Sequence, residues 1–264
     1  MDNISLALDS LLSTAYKAGH AILDIYKRED LGVEIKGDNS PLTLADKAAH
    51  TIIESYLSQT SYPILSEEGV DIAYTTRKDW GTFWMVDPLD GTKEFISKNG
   101  EFTVNIALIH NESPIFGLVY APLLDKLYYG GTLLGYSKLK TGDDVTSLDK
   151  QNCKTLADFD SKECQRIVAS RSHQNQATVD FLAKFDKAEV TSMGSSLKFM
   201  LLAENEAELY PRFAPTMEWD TAAADGVLRA LGKHIYKVST DRIVSNDWLE
   251  YNKENLLNPF FISF

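Results

Sequence analysis

Asp87 and Asp90 stand three residues apart behind the apolar run Phe83-Trp84-Met85-Val86, and Gly91-Thr92 follows at once. Four apolar residues bounded by turn signals predict a buried strand. Such a strand would deliver both carboxylates to one fixed place, where they repel each other unless a cation lies between them. The chemistry this points to is a site for a hard divalent ion, which takes oxygen ligands and keeps some of its waters. Glu67 repeats the pattern at the end of Pro63-Ile64-Leu65-Ser66, and Asp220 opens the alanine-rich stretch Thr221-Ala222-Ala223-Ala224. Glu67, Asp87, Asp90 and Asp220, with the Leu89 carbonyl, would suit two Mg²⁺ ions sharing Asp87.

Each of these acids also has an ordinary structural role open to it. Asp220 fits the N-cap of the helix that follows it. Glu67-Glu68-Gly69 fits a solvated turn, and since neighbours on an extended chain point to opposite sides, only one of the two glutamates need face a site. Asp46 follows Thr43 at capping-box spacing, so it would close a helix start while its carboxylate is aimed inward, and the two roles can coexist. Other chemistries fail on counting. An EF-hand loop from Asp87 would need a glutamate where Lys98 stands. A haloacid-dehalogenase-type nucleophile needs its aspartates two apart. A Ser-His-Asp triad lacks a G-x-S-x-G elbow near His173.

Composition narrows the partners. Among 264 residues, 38 acidic against 26 basic side chains give a net charge of -12, which argues against binding a nucleic-acid polymer through its phosphates. An anionic small molecule remains open, because bound divalent ions invert the local sign of an acidic cluster. No apolar run approaches the ~18 residues of a membrane span, and no basic segment precedes an apolar one at the start. Cys153 and Cys164 lack zinc spacing, so a reducing, cytoplasmic setting is expected, with loose membrane-surface association neither required nor forbidden.

The elements that must position these groups fall into two halves, 1–140 and 141–264. Leu8, Leu11, Leu12, Ala15, Ala18, Ile22, Leu23 and Tyr26 recur at helical steps, and a second helix follows Thr43 with Ala45, Ala49, Ile52, Ile53 and Tyr56 inward. Phe102–Ile109 and Pro114–Tyr120 predict an antiparallel hairpin around Asn111-Glu112-Ser113. Further strands are expected about a Gly130-Gly131 turn, then a loop over 141–163. The second half alternates strand and helix: 166–170, 175–185, 188–191, 196–205, 207–210, 220–231 and 235–238. That pattern predicts a mostly parallel sheet, with Ser170-Arg171-Ser172-His173 and Gly194-Ser195-Ser196 beyond the strand ends, where ligands of such sheets bind.

Taken together, Trp84–Phe95, Trp219–Asp225, Ser66-Glu67-Glu68 and Ser40–Asp46 resemble, in order, the metal-site motifs of the inositol monophosphatase superfamily. Within it, Lys93-Glu94-Phe95, Asn99–Asn105, Gly194–Phe199 and Tyr210-Pro211-Arg212-Phe213 are similar to the 3'(2'),5'-bisphosphate nucleotidases. The resemblance implies a five-layered αβαβα sandwich, combining α+β and α/β halves, and two or three Mg²⁺ ions on Glu67, Asp87, Leu89, Asp90 and Asp220. Glu68 would contribute from outside that ligand set. It further implies that Asp46 and Thr92 activate the attacking water and that the Gly91 and Thr92 amides hold the scissile phosphate. A second phosphate would meet Lys198 and Arg212, with Ser170, His173, Gly194 and Ser195 near ribose or base. The implied reaction converts adenosine 3',5'-bisphosphate to AMP and phosphate, with the sulfated analogue PAPS as a second candidate substrate and Li⁺ and Ca²⁺ as inhibitors. The alternatives are an inositol or sugar monophosphatase, and a non-catalytic metal-binding regulatory protein.

Overall fold

From Thr82 onward the apolar residues alternate so strictly that both faces of a sheet must be covered. Trp84, Val86, Val104, Ile106, Leu108, Leu118 and Tyr120 enter one buried cluster. Phe83, Met85, Ala107, Ile109, Val119 and Tyr128 enter another. A strand hydrophobic on both sides has to sit between two other layers. The computed structural model describes residues 4–37, 40–150, 166–170, 175–185, 187–239 and 244–264.

In chain order, α1 (Ile4–Tyr26), β1 (Glu34–Ile35), β2 (Pro41–Leu42) and α2 (Leu44–Leu57) lead to β3 (Ile64–Ser66) and α3 (Tyr74–Arg77). Next come β4 (Thr82–Asp90), α4 (Thr92–Ile96), β5 (Thr103–His110), β6 (Ser113–Ala121), β7 (Lys126–Gly131), β8 (Tyr136–Thr141) and β9 (Asp144–Ser147). The second half holds β10 (Arg166–Ser170), α5 (Gln176–Leu182), β11 (Glu189–Met193), α6 (Leu197–Ala203), β12 (Tyr210–Arg212) and α7 (Trp219–Ala230). β13 (Ile235–Val238), β14 (Val244–Trp248) and β15 (Phe260–Ser263) close it.

Strands β3 to β9 form one sheet in sequence order. β3 runs parallel to β4, pairing Ser66 with Val86, and every later pair is antiparallel. Helices α1 and α2 cover one face. Helices α6 and α7 cover the other and pack in turn against the second-half strands, whose far side carries α5. The expected αβαβα layering is the observed one. Among the described residues, no helix is long and apolar enough to cross a membrane.

The structure corrects three local expectations. The second half is not mostly parallel. β10 and β11 pair parallel, and Ile167 bridges Leu209 in the same sense, but β12-β15-β13-β14 is antiparallel throughout. β14 and β15 went unpredicted, and β15 inserts between β12 and β13, a pairing fixed by distant neighbours and not by local pattern. Gly130 and Gly131 lie within β7 and form no turn, while the turn that follows ends at Gly135, with φ 75°, and β8 begins at Tyr136. The large sheet also runs on across residue 140 as far as Ser147. The rest of the expected loop, with Cys153 and Cys164, lies outside the described residues.

Helix α7 approaches the sheet closely at two glycines. A Cβ on Gly117 of β6 would fall inside the van der Waals shell of the Ala223 carbonyl, and one on Gly226 would lie 2.8 Å from the Gly117 nitrogen. The helix is also locked by Asp225, fully buried, which takes Arg229 Nε at 3.0 Å, Arg229 Nη2 at 2.8 Å and the Tyr251 hydroxyl at 2.9 Å. Because α7 carries Asp220, anything that lifts it from the sheet moves a candidate ligand. Gly117→Ala should therefore cost about 1–3 kcal/mol of stability through overpacking, read by urea unfolding, and should reduce activity more than the stability loss accounts for.

Candidate active site

In a regular strand, residues three apart face opposite sides, so Asp87 and Asp90 could not share a site. The β4–β5 register resolves this. Asp87 pairs with Asn105 and Asp90 with Thr103, so an irregularity between the aspartates absorbs one residue. Such a bulge re-aims side chains, and Pro88, without an N–H to give the ladder, sits within it. The Leu89 N–H donates to Asp87 Oδ1 at 3.0 Å and fixes the bend. Asp90 is held by the Ser196 amide at 2.6 Å and the Asn105 side chain at 3.3 Å.

Asp220 is not the N-cap that its position suggested. Glu218 holds that place, and Asp220 lies in the first turn, accepting from the Met217 N–H at 2.8 Å. One oxygen each from Asp87, Asp90 and Asp220 lies within 4.8 Å of the others. Burial raises the carboxyls of Asp87 and Asp220 well above the usual range, and the charges of their acidic neighbours push them further. Asp90 is raised as well, chiefly by burial, though the Lys198 ammonium opposes this. Three mutually repelling carboxylates, Asp87 buried and Asp90 and Asp220 half-buried, are a donor set of the kind that fits a hard divalent ion.

Glu67 stands beside this group because β3 and β4 run parallel and end together; its N–H donates to the Val86 carbonyl at 3.0 Å. It lies near enough for its charge to raise Asp87. Its Oε1, however, accepts from Lys36 Nζ at 3.0 Å, and the same ammonium is bonded to Glu68. The two acids hold the Lys36 ammonium protonated well past its usual range, even though burial opposes this. Sequence inspection passed over Lys36, since nothing local marks a lysine that meets its partners 31 residues later.

Asp46 divides its two oxygens between two tasks. Oδ2 takes the Thr43 N–H at 2.7 Å and the Thr43 hydroxyl at 2.5 Å, completing the expected capping box. Oδ1 accepts from Thr92 Oγ1 at 3.1 Å. The Leu89 carbonyl, 3.3 Å from the same hydroxyl, is the alternative acceptor. Burial raises the Asp46 carboxyl, the Thr43 bonds lower it, and the Glu68 charge raises it further. Thr92 opens α4, and Gly91 before it adopts φ 93°, a left-handed conformation that suits glycine.

The remaining residues meet around a cavity of about 220 Å³, whose walls include Glu67, Asp90, Thr92, Asp220, Ser170, Ser195, Lys198 and Arg212. The Gly194-Ser195-Ser196 turn lines the cavity, yet much of its hydrogen bonding faces inward. The Gly194 amide binds Glu101 at 2.7 Å, and the Ser196 hydroxyl donates to the Asp220 carbonyl at 2.8 Å. Lys198 is buried, donating to the Ser195 carbonyl at 2.5 Å, and burial lowers its pKa to about 8 despite the nearby Asp90. Arg212 is buried too, anchored on the carbonyls of Ala214 at 3.1 Å and Pro215 at 2.9 Å, with the Tyr210 hydroxyl as a further partner. His173 lies outside the described residues. Glu94, Tyr210 and Phe261 also line the cavity without having been singled out as site residues. Glu94 had a signal, as it stands inside the Lys93-Glu94-Phe95 motif.

The model of the inositol monophosphatase family matches residues 7–257. The chain is 40% identical to the 3'(2'),5'-bisphosphate nucleotidase CysQ of Escherichia coli strain K12, over 96% of this chain and 98% of that one. It is 32% identical to CysQ of Haemophilus influenzae, over 97% and 91%. The crystal structure of CysQ from Bacteroides thetaiotaomicron superposes with a TM-score of 0.80 at 42% identity, covering 98% of this chain and 96% of that one. An IMPase/NADP phosphatase complexed with Mg²⁺ and phosphate shares the fold at 18% identity, with a TM-score of 0.71 over 99% and 90%. On sequence and on structure, the chain belongs to the inositol monophosphatase family.

Proposed function

We propose that this chain is a Mg²⁺-dependent 3'(2'),5'-bisphosphate nucleotidase, releasing the 3'-phosphate of adenosine 3',5'-bisphosphate to leave AMP. One observation carries the proposal. Asp90 and Asp220 of the acidic triad, Thr92 of the Thr92–Asp46 pair and two buried basic residues, Lys198 and Arg212, border a single cavity, with Asp87 and Asp46 directly behind their partners. Its relatives at 32% to 42% identity are named as CysQ, and the E. coli and H. influenzae proteins as 3'(2'),5'-bisphosphate nucleotidases.

Asp87, Asp90, Asp220, Glu67 and the Leu89 carbonyl would hold Mg²⁺, one or more ions. Bound there, it supplies a Lewis acid that makes water acidic near neutral pH and spreads the charge of an in-line displacement. The chain's own groups handle the proton. Thr92 Oγ1 takes it from the attacking water and passes its own to Asp46 Oδ1. Burial has raised that carboxyl, so it accepts a proton more readily than a surface aspartate would. The first-turn amides at Gly91 and Thr92 have no partner within α4, and they face the phosphate as helix starts do. Lys198 and Arg212 answer the second phosphate, the arginine with a planar fork and the lysine as a point charge.

Asp90→Asn should abolish phosphate release while leaving the melting temperature within a few degrees of wild type, because shape is kept and a ligand charge is lost. Retained turnover would remove Asp90 from the metal set. Arg212→Ala should lower kcat/KM for adenosine 3',5'-bisphosphate by about 2–5 kcal/mol of binding, with a much smaller effect on a monophosphate such as inositol 1-phosphate. Wild-type release from inositol 1-phosphate and none from the bisphosphate would overturn the assignment. The Lys198 ammonium, lowered to about 8, attracts phosphate below that pH and goes neutral above it. The kcat/KM advantage of wild type over Lys198→Met should be full at pH 7 and shrink as pH rises through about 8, seen in paired pH profiles.

A further inference from the structure

The helix that carries Asp220 begins at a carboxylate the mechanism does not use. Glu218 is fully buried, yet as the N-cap residue its side chain makes no capping bond to its own helix. Its Oε2 instead accepts the Asn252 N–H at 2.5 Å, and its Oε1 accepts the Lys253 N–H at 3.0 Å and Lys253 Nζ at 2.6 Å. Asn252 adopts φ 77°, a left-handed conformation that turns its side chain to a second partner. Its Oδ1 accepts Arg77 Nη1 at 2.8 Å and its Nδ2 donates to the Arg77 carbonyl at 2.7 Å. Arg77, itself buried, also binds the carbonyls of Lys253 at 2.7 Å and Glu254 at 2.9 Å.

These bonds make a continuous brace. One end is the first turn of α7, two residues before Asp220. The other end is α3, the next element after the turn that carries Glu67 and Glu68. The brace thus ties together two chain segments whose acids repel one another. A buried carboxylate that relieves no helix end costs desolvation unless its bonds serve another purpose, and here all of them point away from the helix into residues 252–253.

We propose that Glu218, through Asn252, Lys253 and Arg77, is a positioning residue that holds Asp220 against the repulsion of Asp87 and Asp90 and thereby sets the affinity for the divalent ion. This rests on the metal-site reading above, and the test separates the two. Mg²⁺ is titrated calorimetrically into the full chain, wild type and Glu218→Gln, with nucleotide KM measured at saturating Mg²⁺. Glu218→Gln should weaken Mg²⁺ binding about tenfold, the low end for groups that orient metal ligands, and leave KM for the bisphosphate unchanged. Glu204→Gln, which loses bonds to Tyr128 and Lys126 on another part of the fold, should lower the melting temperature without changing Mg²⁺ affinity. Lys253→Met removes one arm of the brace and should weaken Mg²⁺ in the same direction should Glu218→Gln fail to fold. A brace variant that lowers the melting temperature but binds Mg²⁺ as tightly as wild type overturns the proposal. A wild-type chain that binds no Mg²⁺ overturns the metal-site reading and this proposal with it.

Discussion

Three carboxylates with oxygens held within 4.8 Å of one another are the constraint the molecule must meet. Left to themselves, such groups would separate, take up protons or draw in water. None of the three can move far. Asp87 is bent back on the Leu89 amide, Asp90 is bonded from Ser196 and Asn105, and Asp220 is bonded from Met217 at the start of a helix. Asp87 and Asp90 are brought together by the bulge in β4, and Asp220 joins them only when α7 is packed on the sheet. Hydrophobic burial on both faces of the large sheet supplies the driving force. Part of that stability is spent on holding the like charges of the acidic cluster together.

The three carboxylates outside the triad show how proximity is tuned. Glu67 and Glu68 share the ammonium of Lys36, so the arm formed by β1 and β2 reaches the rim of the site through a charged contact. Asp46 has neutral donors instead, Thr43 on one oxygen and Thr92 on the other. One aspartate thereby caps a helix start and holds the Thr92 hydroxyl at once. Capping geometry fixes the direction of the free oxygen, which a mobile loop aspartate could not do.

The acids were legible in the sequence because each ends an apolar run or begins a helix, where local chemistry constrains direction. Thr43 and Asp46 declared their capping box by spacing alone. The bulge between Asp87 and Asp90 was not legible, although Pro88 hinted at an interruption of the ladder, because register depends on β5. The cap expected at Asp220 lies two positions earlier, at Glu218, whose bonds lead to residues 252 and 253. Lys36 and the Arg77–Asn252 contact join residues 31 and 175 positions apart, beyond the reach of any local pattern. The same limit hid β15: nothing in Phe260–Ser263 says that it pairs with β12 on one side and β13 on the other.

That insertion has a bearing on how the protein is made. On a ribosome the chain emerges from the N-terminus, so β3 to β9 and their covering helices α1 and α2 can assemble early. β12, with Arg212, must wait for β15, which leaves the ribosome last of all its sheet partners. Until then the edge of β12 is open, and Phe261 is missing from the cavity wall. Asp87 and Asp90 can therefore be in place on the large sheet before the cavity wall that holds Arg212 and Phe261 is complete, whereas Asp220 waits for residues 252 and 253, which bind the Glu218 carboxylate at the start of its helix.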